Sequence, residues 1–382
     1  MATGRTLLAK LYAGLPRPAQ MKIARAYAGR KERRLARLET PTTVILYVTQ
    51  RCNARCAHCF YWKELDAKAP ELSLDELRTL ARSFRHPVSL SITGGEPTLR
   101  ADLFEIARAF HERNGCREIK IATNGMLPDR IVDTCRRVLS ELAVESLGVQ
   151  VSIDGPEETH NEIRGVPAFE PAMESARRLK ELAEADPRFS VHIACCIQKK
   201  NIDVLPAFVE TLIPLRIPLQ FGLIRGESFG TWNLPAGSSS GIDPRDPESP
   251  LVPVDRLESF FEWLRARNEE SEPPFWSPMQ QEKIELSLRM LRRPKKCMTC
   301  HAGVIDGVVY ANGDVALCEL TEPVGNLHDY DLDIARLWSS PAAEEMRAKI
   351  RSCFCIHGCN LVTGLMFRPE FIREAVIQKA KS

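Results

Sequence analysis

Cys52, Cys56 and Cys59 stand in the run Cys52-Asn-Ala-Arg-Cys56-Ala-His-Cys59-Phe60, just after an apolar stretch. Intervals of three and two residues let one tight loop turn three thiolates toward a single inorganic centre, as soft thiolates do for iron–sulfur clusters. A cluster of four irons held by three thiolates keeps one iron open. Zinc is the competing reading, since it also takes closely spaced cysteines, but it ordinarily wants a fourth ligand. His58 lies inside the loop and is expected to point elsewhere.

Three further motifs carry chemistry. Gly94-Gly95-Glu96-Pro97 offers backbone that can approach a ligand closely, followed by a carboxylate able to accept from an ammonium group. Thr123-Asn124-Gly125 and Ser152-Ile153-Asp154-Gly155 are similar polar steps. A second cysteine group, Cys297, Cys300, Cys318, Cys353, Cys355 and Cys359, exceeds the four ligands of one cluster. Between Cys300 and Cys318 the segment around Asn312-Gly313 reads as a β-hairpin, which brings those two cysteines to the same end. A structural zinc ribbon is the competing reading there.

The elements that must position these residues alternate β-branched runs with amphipathic stretches. Strands are expected at Val44 to Thr49, Val88 to Thr93, Ile119 to Thr123, Leu147 to Ile153, Val191 to Ile197 and Leu219 to Ile224. Helices are expected near 73–84, 102–113, 129–141, 169–184 and 203–213, the first opened by a Ser73/Glu76 capping box. Such βα units give parallel strands in either a doubly wound sheet or a closed or partly closed barrel. Both architectures place chemistry at the C-terminal strand ends, where all four motifs fall.

With 382 residues, 44% hydrophobic and 27% charged, the chain suits a globular protein with a sizeable core. Thirteen cysteines in so long a chain, with no visible signal peptide, point to metal ligation in a reducing, cytoplasmic compartment rather than to disulfides. Cys116, Cys135, Cys195 and Cys196 are expected to be core thiols. Residues 1–40 hold ten Lys or Arg against Glu32 and Glu39, with interleaved Leu7, Leu8, Leu11, Tyr12 and Ile23. This basic arm, expected as two short helices broken by Pro16 and Pro18, either packs on the core or contacts an anionic membrane surface or polyanion. Without a basic and aromatic stripe elsewhere, nucleic acid is not an expected partner. The Pro-rich stretch 228–253 is expected as a long loop, lid or linker, followed by helices from Asp255 to Asn268 and Pro278 to Leu291.

Together, Cys52, Cys56, Cys59, Phe60 and Gly94-Gly95-Glu96-Pro97 resemble the signature of the radical S-adenosylmethionine (SAM) superfamily. The run from Ser152 through Arg164 to Gly165 resembles the matching segment of anaerobic sulfatase-maturing enzymes and peptide-maturase relatives. Cys300, Gly313 and Cys318 resemble the opening of a SPASM or twitch auxiliary-cluster domain. The resemblance implies an α/β fold, a partial (β/α)6 TIM-like barrel with a small C-terminal auxiliary domain. The expected division is a basic arm 1–40, barrel 41–226, Pro-rich loop and linking helices 227–292, auxiliary iron–sulfur domain 293–365 and tail 366–382. It implies a 4Fe–4S cluster on Cys52, Cys56 and Cys59, with SAM chelating the open iron. Cofactor contacts would come from Phe60, Gly94, Gly95, Glu96, Asn124, Ser152, Asp154 and Arg164, with Asp154 alternatively capping the turn after it. The implied activity is reductive SAM cleavage to a 5′-deoxyadenosyl radical that takes hydrogen from a peptide or small-molecule substrate, with an electron donor such as flavodoxin or ferredoxin. A small-molecule or lipid-precursor dehydrogenase or epimerase of the same superfamily, and a non-catalytic iron–sulfur scaffold, are the alternatives. The tail departs from a full SPASM pattern, so one auxiliary cluster is expected, on Cys300, Cys318 and two of Cys297, Cys353, Cys355 and Cys359. The alternative is two clusters, one completed by His301 or His357.

Overall fold

A computed structural model describes residues 4–226, 229–236, 238 and 249–381. The chain opens with α1 (Gly4–Ala13) and α2 (Arg17–Leu35). The barrel follows as β1 (Thr43–Tyr47), α3 (Leu74–Ser83), β2 (Ser89–Thr93), α4 (Leu103–Asn114), β3 (Glu118–Thr123), α5 (Pro128–Glu141), β4 (Ser146–Ser152), α6 (Glu157–Arg164), α7 (Phe169–Ala185), β5 (Phe189–Ile197), α8 (Leu205–Leu212) and β6 (Leu219–Leu223). Next come β7 (Thr231–Trp232), α9 (Val254–Glu269), α10 (Pro278–Arg292), β8 (Asp306–Val309), β9 (Asp314–Ala316) and β10 (Gly325–Asn326). The chain ends with α11 (Ile334–Trp338), α12 (Pro341–Ile350), β11 (Phe354–Cys355), α13 (Gly358–Leu365) and α14 (Pro369–Lys381).

Strands β1 to β6 pair in parallel in sequence order. That monotonic order has no reversal point, so the sheet is a partial barrel and not doubly wound. Alternation along the later strands divides the two faces. Val149, Val151, Ile193 and Ile197 are buried on the helical side, while Gln150, Ser152 and Gln220 line the lumen. The Ser73 capping box forms as expected, with Glu76 N–H donating to Ser73 Oγ at 3.3 Å and Ser73 N–H to Glu76 Oε2 at 2.7 Å.

The hairpin β8–β9 forms, but it does not stand apart from the barrel. β8 pairs in parallel with β1, from Thr43 opposite Asp306 to Leu46 opposite Val309, and all four β8 residues are buried. The first strand of a partial barrel has an unpaired edge, and this hairpin covers it. Its turn is a Tyr310–Gly313 turn, with Gly313 N–H donating to Tyr310 O at 2.9 Å and Gly313 at φ +91°. Only the glycine is left-handed, so Asn312 occupies an ordinary turn position.

The N-terminal arm differs from the expectation of two short helices. α2 is 19 residues long, because its prolines fall at the helix start, where no N–H is needed. The arm packs on α14, with Arg373 Nε donating to Gln20 Oε1 at 2.7 Å. Leu8, Leu11, Ile23 and Tyr27 remain exposed. Among the described residues no helix is long and apolar enough to cross a membrane. Within the expected 228–253 loop, Thr231–Trp232 pairs antiparallel with Phe354–Cys355, and Trp232 stacks on Phe354 at 5.0 Å. Residues 239–248 of that loop lie outside the described residues.

Candidate functional site

The loop after β1 carries Cys52, Cys56 and Cys59, all half-buried. Ala54 N–H approaches Cys52 Sγ at 3.4 Å and Arg164 Nη1 approaches Cys56 Sγ at 3.5 Å, so two of the sulfurs already have donors suited to thiolates. The end of α6 holds the loop in place. Arg55 N–H donates to Arg164 O at 2.8 Å, and Ala57 N–H to Ile163 O at 3.0 Å. Burial pushes the Cys59 thiol up to about 11 and raises Cys52, the pattern of thiols that need a bound cation to ionise. Among the described residues, the trio of potential ligand atoms that closes to within 4.8 Å is Glu319, His357 and Cys359. His58 lines the lumen, with its Nδ1 3.2 Å from Gln198 Nε2, and burial lowers its pKa to about 4.

The Gly94-Gly95 step brings the strand end close to the chain's own cysteine loop. Gly95 N–H donates to Thr49 O and Glu96 N–H to Arg51 O, both at 2.8 Å. A Cβ on Gly95 would lie 2.2 Å from Arg51 O, and one on Gly94, 2.6 Å from Thr49 O. The glycines therefore let two backbones pack, a different use from the expected approach to a ligand. Glu96 is buried. Its Oε1 accepts from Thr98 Oγ1 at 2.6 Å, Thr123 Oγ1 at 2.7 Å and Thr98 N–H at 3.1 Å, while Oε2 accepts from Asn124 N–H at 2.7 Å. Oε2 keeps capacity for one more donor. Burial raises the Glu96 pKa despite these bonds. Asn124 Nδ2 donates to Asn53 Oδ1 at 2.8 Å, joining the third strand end to the cysteine loop.

Asp154 pairs with Arg164 at 2.7 Å, both buried, and its Oδ1 accepts Cys196 N–H at 2.8 Å. Burial alone would raise the Asp154 carboxyl; the Arg164 guanidinium, helped by His58, more than offsets it, so Asp154 titrates below the ordinary carboxylate range. Its structural role is thus to hold Arg164 against the cysteine loop rather than to cap the next turn. Phe60, Ser152, Asp154 and Arg164 line a lumen of about 380 Å³. Three lumen residues escaped sequence reasoning. Arg225 lies over the Phe60 ring at 5.9 Å. Lys283, on α10, donates to Phe221 O at 2.9 Å, and burial lowers its pKa to about 8. Half-buried Cys196 lines the same space, as does buried Cys195, whereas Cys116 and Cys135 are buried core thiols as expected.

Residues 46–210 match the family described as the Radical SAM superfamily. Residues 46–210 are thus similar to a radical SAM domain. Superfamily members are enzymes that use a 4Fe–4S cluster and SAM. Over 179 residues this chain is 35% identical to the Fe-coproporphyrin III synthase of Methanosarcina barkeri, covering 46% of this chain and 42% of that protein. The chain thus spans less than half the length of this curated relative. The fold resembles the structure of native anSMEcpe with bound AdoMet, at TM-score 0.58 and 17% identity over 90% of this chain and 100% of the other. It also resembles Streptococcus suis SuiB bound to precursor peptide SuiA, at TM-score 0.58 and 18% identity, covering 92% and 79%.

Beyond the matched residues, the second cysteine group divides. Cys300, Cys318, Cys353 and Cys355 act electrostatically on one another, and burial raises Cys300 to about 12, Cys353 to about 11 and Cys318 well above its ordinary value. Asn360 Nδ2 approaches Cys318 Sγ at 3.5 Å and Cys355 Sγ at 3.7 Å. Four converging thiols with a donor between two of them fit the ligand set of one cluster. Cys297 is exposed, its thiol directed to Lys295 O at 3.2 Å. Cys359 stands beside Glu319 and His357 instead. His301 is held elsewhere, 3.2 Å from Glu32 of the arm and stacked on Phe367 at 4.3 Å.

Proposed function

We propose that this chain reductively cleaves SAM and takes hydrogen from a carboxylate-bearing substrate held in the barrel lumen. The observation that carries this reading is the convergence of the cysteine loop, Glu96, Asn124 and the Asp154–Arg164 pair at the C-terminal ends of four neighbouring strands. Cys52, Cys56 and Cys59 would hold the 4Fe–4S cluster, with Cys300, Cys318, Cys353 and Cys355 holding one auxiliary cluster. When bound, the first cluster and SAM supply the 5′-deoxyadenosyl radical. The chain's own contribution is positional. Oε2 of Glu96 keeps a lone pair for the SAM ammonium, Gly94 and Gly95 supply the strand end that carries it, Arg164 presents a guanidinium at the loop, and Phe60 and Ser152 flank the cofactor in the lumen.

The substrate class follows from charge. Arg225 and Lys283 face the lumen, while Asp154 is already neutralised by Arg164. A positive chamber selects carboxylates. Peptides and carboxylated tetrapyrroles both satisfy that condition, and proteins similar to this one are named for each. Peptide or protein modification is the leading reading, since the fold likeness to SuiB extends over 92% of the chain.

The test is anaerobic reconstitution with iron and sulfide, then dithionite and SAM. Release of 5′-deoxyadenosine, lost when Cys56 is changed to Ala, supports the enzyme. A fully loaded cluster without release would make the chain an iron–sulfur scaffold. Deuterium transfer from a labelled acidic peptide or carboxylated tetrapyrrole into 5′-deoxyadenosine would then identify the substrate class. For the arm, exposed Leu8, Leu11, Ile23 and Tyr27 among basic residues support docking on an anionic membrane surface. Unchanged partitioning onto phosphatidylserine vesicles after deletion of residues 1–40 would end that idea.

A further inference from the structure

We propose that Glu319, His357 and Cys359 form a mononuclear site for a borderline-soft divalent cation such as zinc, in the lumen wall and separate from both cysteine clusters. One carboxylate oxygen, one imidazole nitrogen and one sulfur lie within 4.8 Å of one another. Glu319 Oε2 and His357 Nε2 are 2.7 Å apart, with side chains 9% and 7% exposed. The site is therefore built, not a chance meeting of flexible surface groups.

Its surroundings orient the donors. Tyr47 Oη donates to Glu319 Oε1 at 2.6 Å, which fixes the carboxylate and leaves Oε2 facing the other two ligands. The His357 ring is buried with Nδ1 unpartnered, so its bonding is concentrated at Nε2, on the Glu319 side. A hydrogen-bonded Glu–His–Tyr network alone would need no thiol. Here Cys359 opens the first turn of α13 and is solvent-reached at the same point.

Donor chemistry selects the ion. Oxygen, nitrogen and sulfur together favour zinc over magnesium or calcium, which take oxygen ligands. Carboxylate, thiolate and neutral imidazole with a dication sum to zero charge, an acceptable burden for a half-buried site that solvent reaches at Cys359. Three protein ligands leave one coordination position, as in catalytic zinc sites. His357 lines the lumen, so that position is available to an anionic group of a bound molecule. This last step rests on the lumen being the substrate chamber; the ion site itself does not. Cys359 also stands apart from the auxiliary set: Asn360 Nδ2 approaches Cys318 Sγ and Cys355 Sγ, whereas the Cys359 sulfur lies within 4.8 Å of the Glu319 and His357 ligand atoms.

The test uses the full chain, anaerobically reconstituted with iron and sulfide and then equilibrated with zinc chloride. Expected are about one zinc per chain and a zinc K-edge spectrum with one sulfur at about 2.3 Å and nitrogen or oxygen at about 2.0–2.1 Å. Tyr47→Phe should weaken zinc about 10–100-fold. Glu319→Gln and Cys359→Ser should lose zinc with iron per chain and circular dichroism unchanged. An all-sulfur shell, negligible zinc, or iron lost in Cys359→Ser would each overturn the proposal. Zinc content is read without turnover, so failure to release 5′-deoxyadenosine would leave this result standing.

Discussion

Asp154 and Arg164 are a buried ion pair whose members cannot be removed singly without cost. Arg164→Met should destabilise the protein by about 3–5 kcal/mol, because it strands a buried carboxylate. Adding Asp154→Asn should recover part of that loss in denaturant titrations, and an additive double mutant would refute the coupling. Since the folded Asp154 pKa lies below its ordinary value, the pair stabilises the protein at neutral pH and that contribution disappears as pH falls through the folded value. Asp306 behaves oppositely. Burial raises its carboxyl to about 7, against weak help from Thr363 at 3.3 Å. Its protonated form favours the fold, so stability contributed below the ordinary carboxylate range declines as pH rises toward about 7. Asp306→Asn should flatten that slope and stabilise the protein above pH 7 by about a few kcal/mol, the free-energy equivalent of a carboxyl raised to about 7. An unchanged slope between about pH 4 and 7 would contradict the assignment.

At the scale of elements, the cysteine loop is held by close backbone crossings that admit no side chain. Gly95→Ala would put Cβ 2.2 Å from Arg51 O and cannot be relieved by a rotamer change. We expect a loss of at least about 2 kcal/mol and a fall in iron retained by the first cluster, measured by unfolding and by iron content. Much of this architecture was legible in the sequence. β-branched runs announced β1 to β6, and the motifs at their ends announced the site. Other features left no local trace. The pairing of Asp306–Val309 with β1 depends on which edge stands open in three dimensions, and the run itself reads only as one half of a hairpin. Lys283 looks like any helical lysine until α10 is laid over the lumen. The prolines near residue 17 read as breakers because their meaning depends on whether a helix ends or begins there. Glu319 and His357 belong to segments far apart in sequence, so no spacing could unite them.

For the molecule as a whole, the division of cysteines sets metal content. Two four-iron clusters predict iron near eight per chain, and counts near twelve would require a third ligand set. Cys353→Ala or Cys355→Ala should lower iron toward four while the first cluster stays, whereas Cys297→Ala should leave it unchanged. Sheet continuity also has a consequence in time. Thr43 pairs with Asp306, a partner made long after it on the ribosome. At usual synthesis rates the β1 edge stays bare for on the order of ten seconds or more. The non-local pairing also slows folding, because the loop must close before any contact rewards it. The nascent chain therefore carries an open sheet edge beside the cysteine loop until β8 has been made.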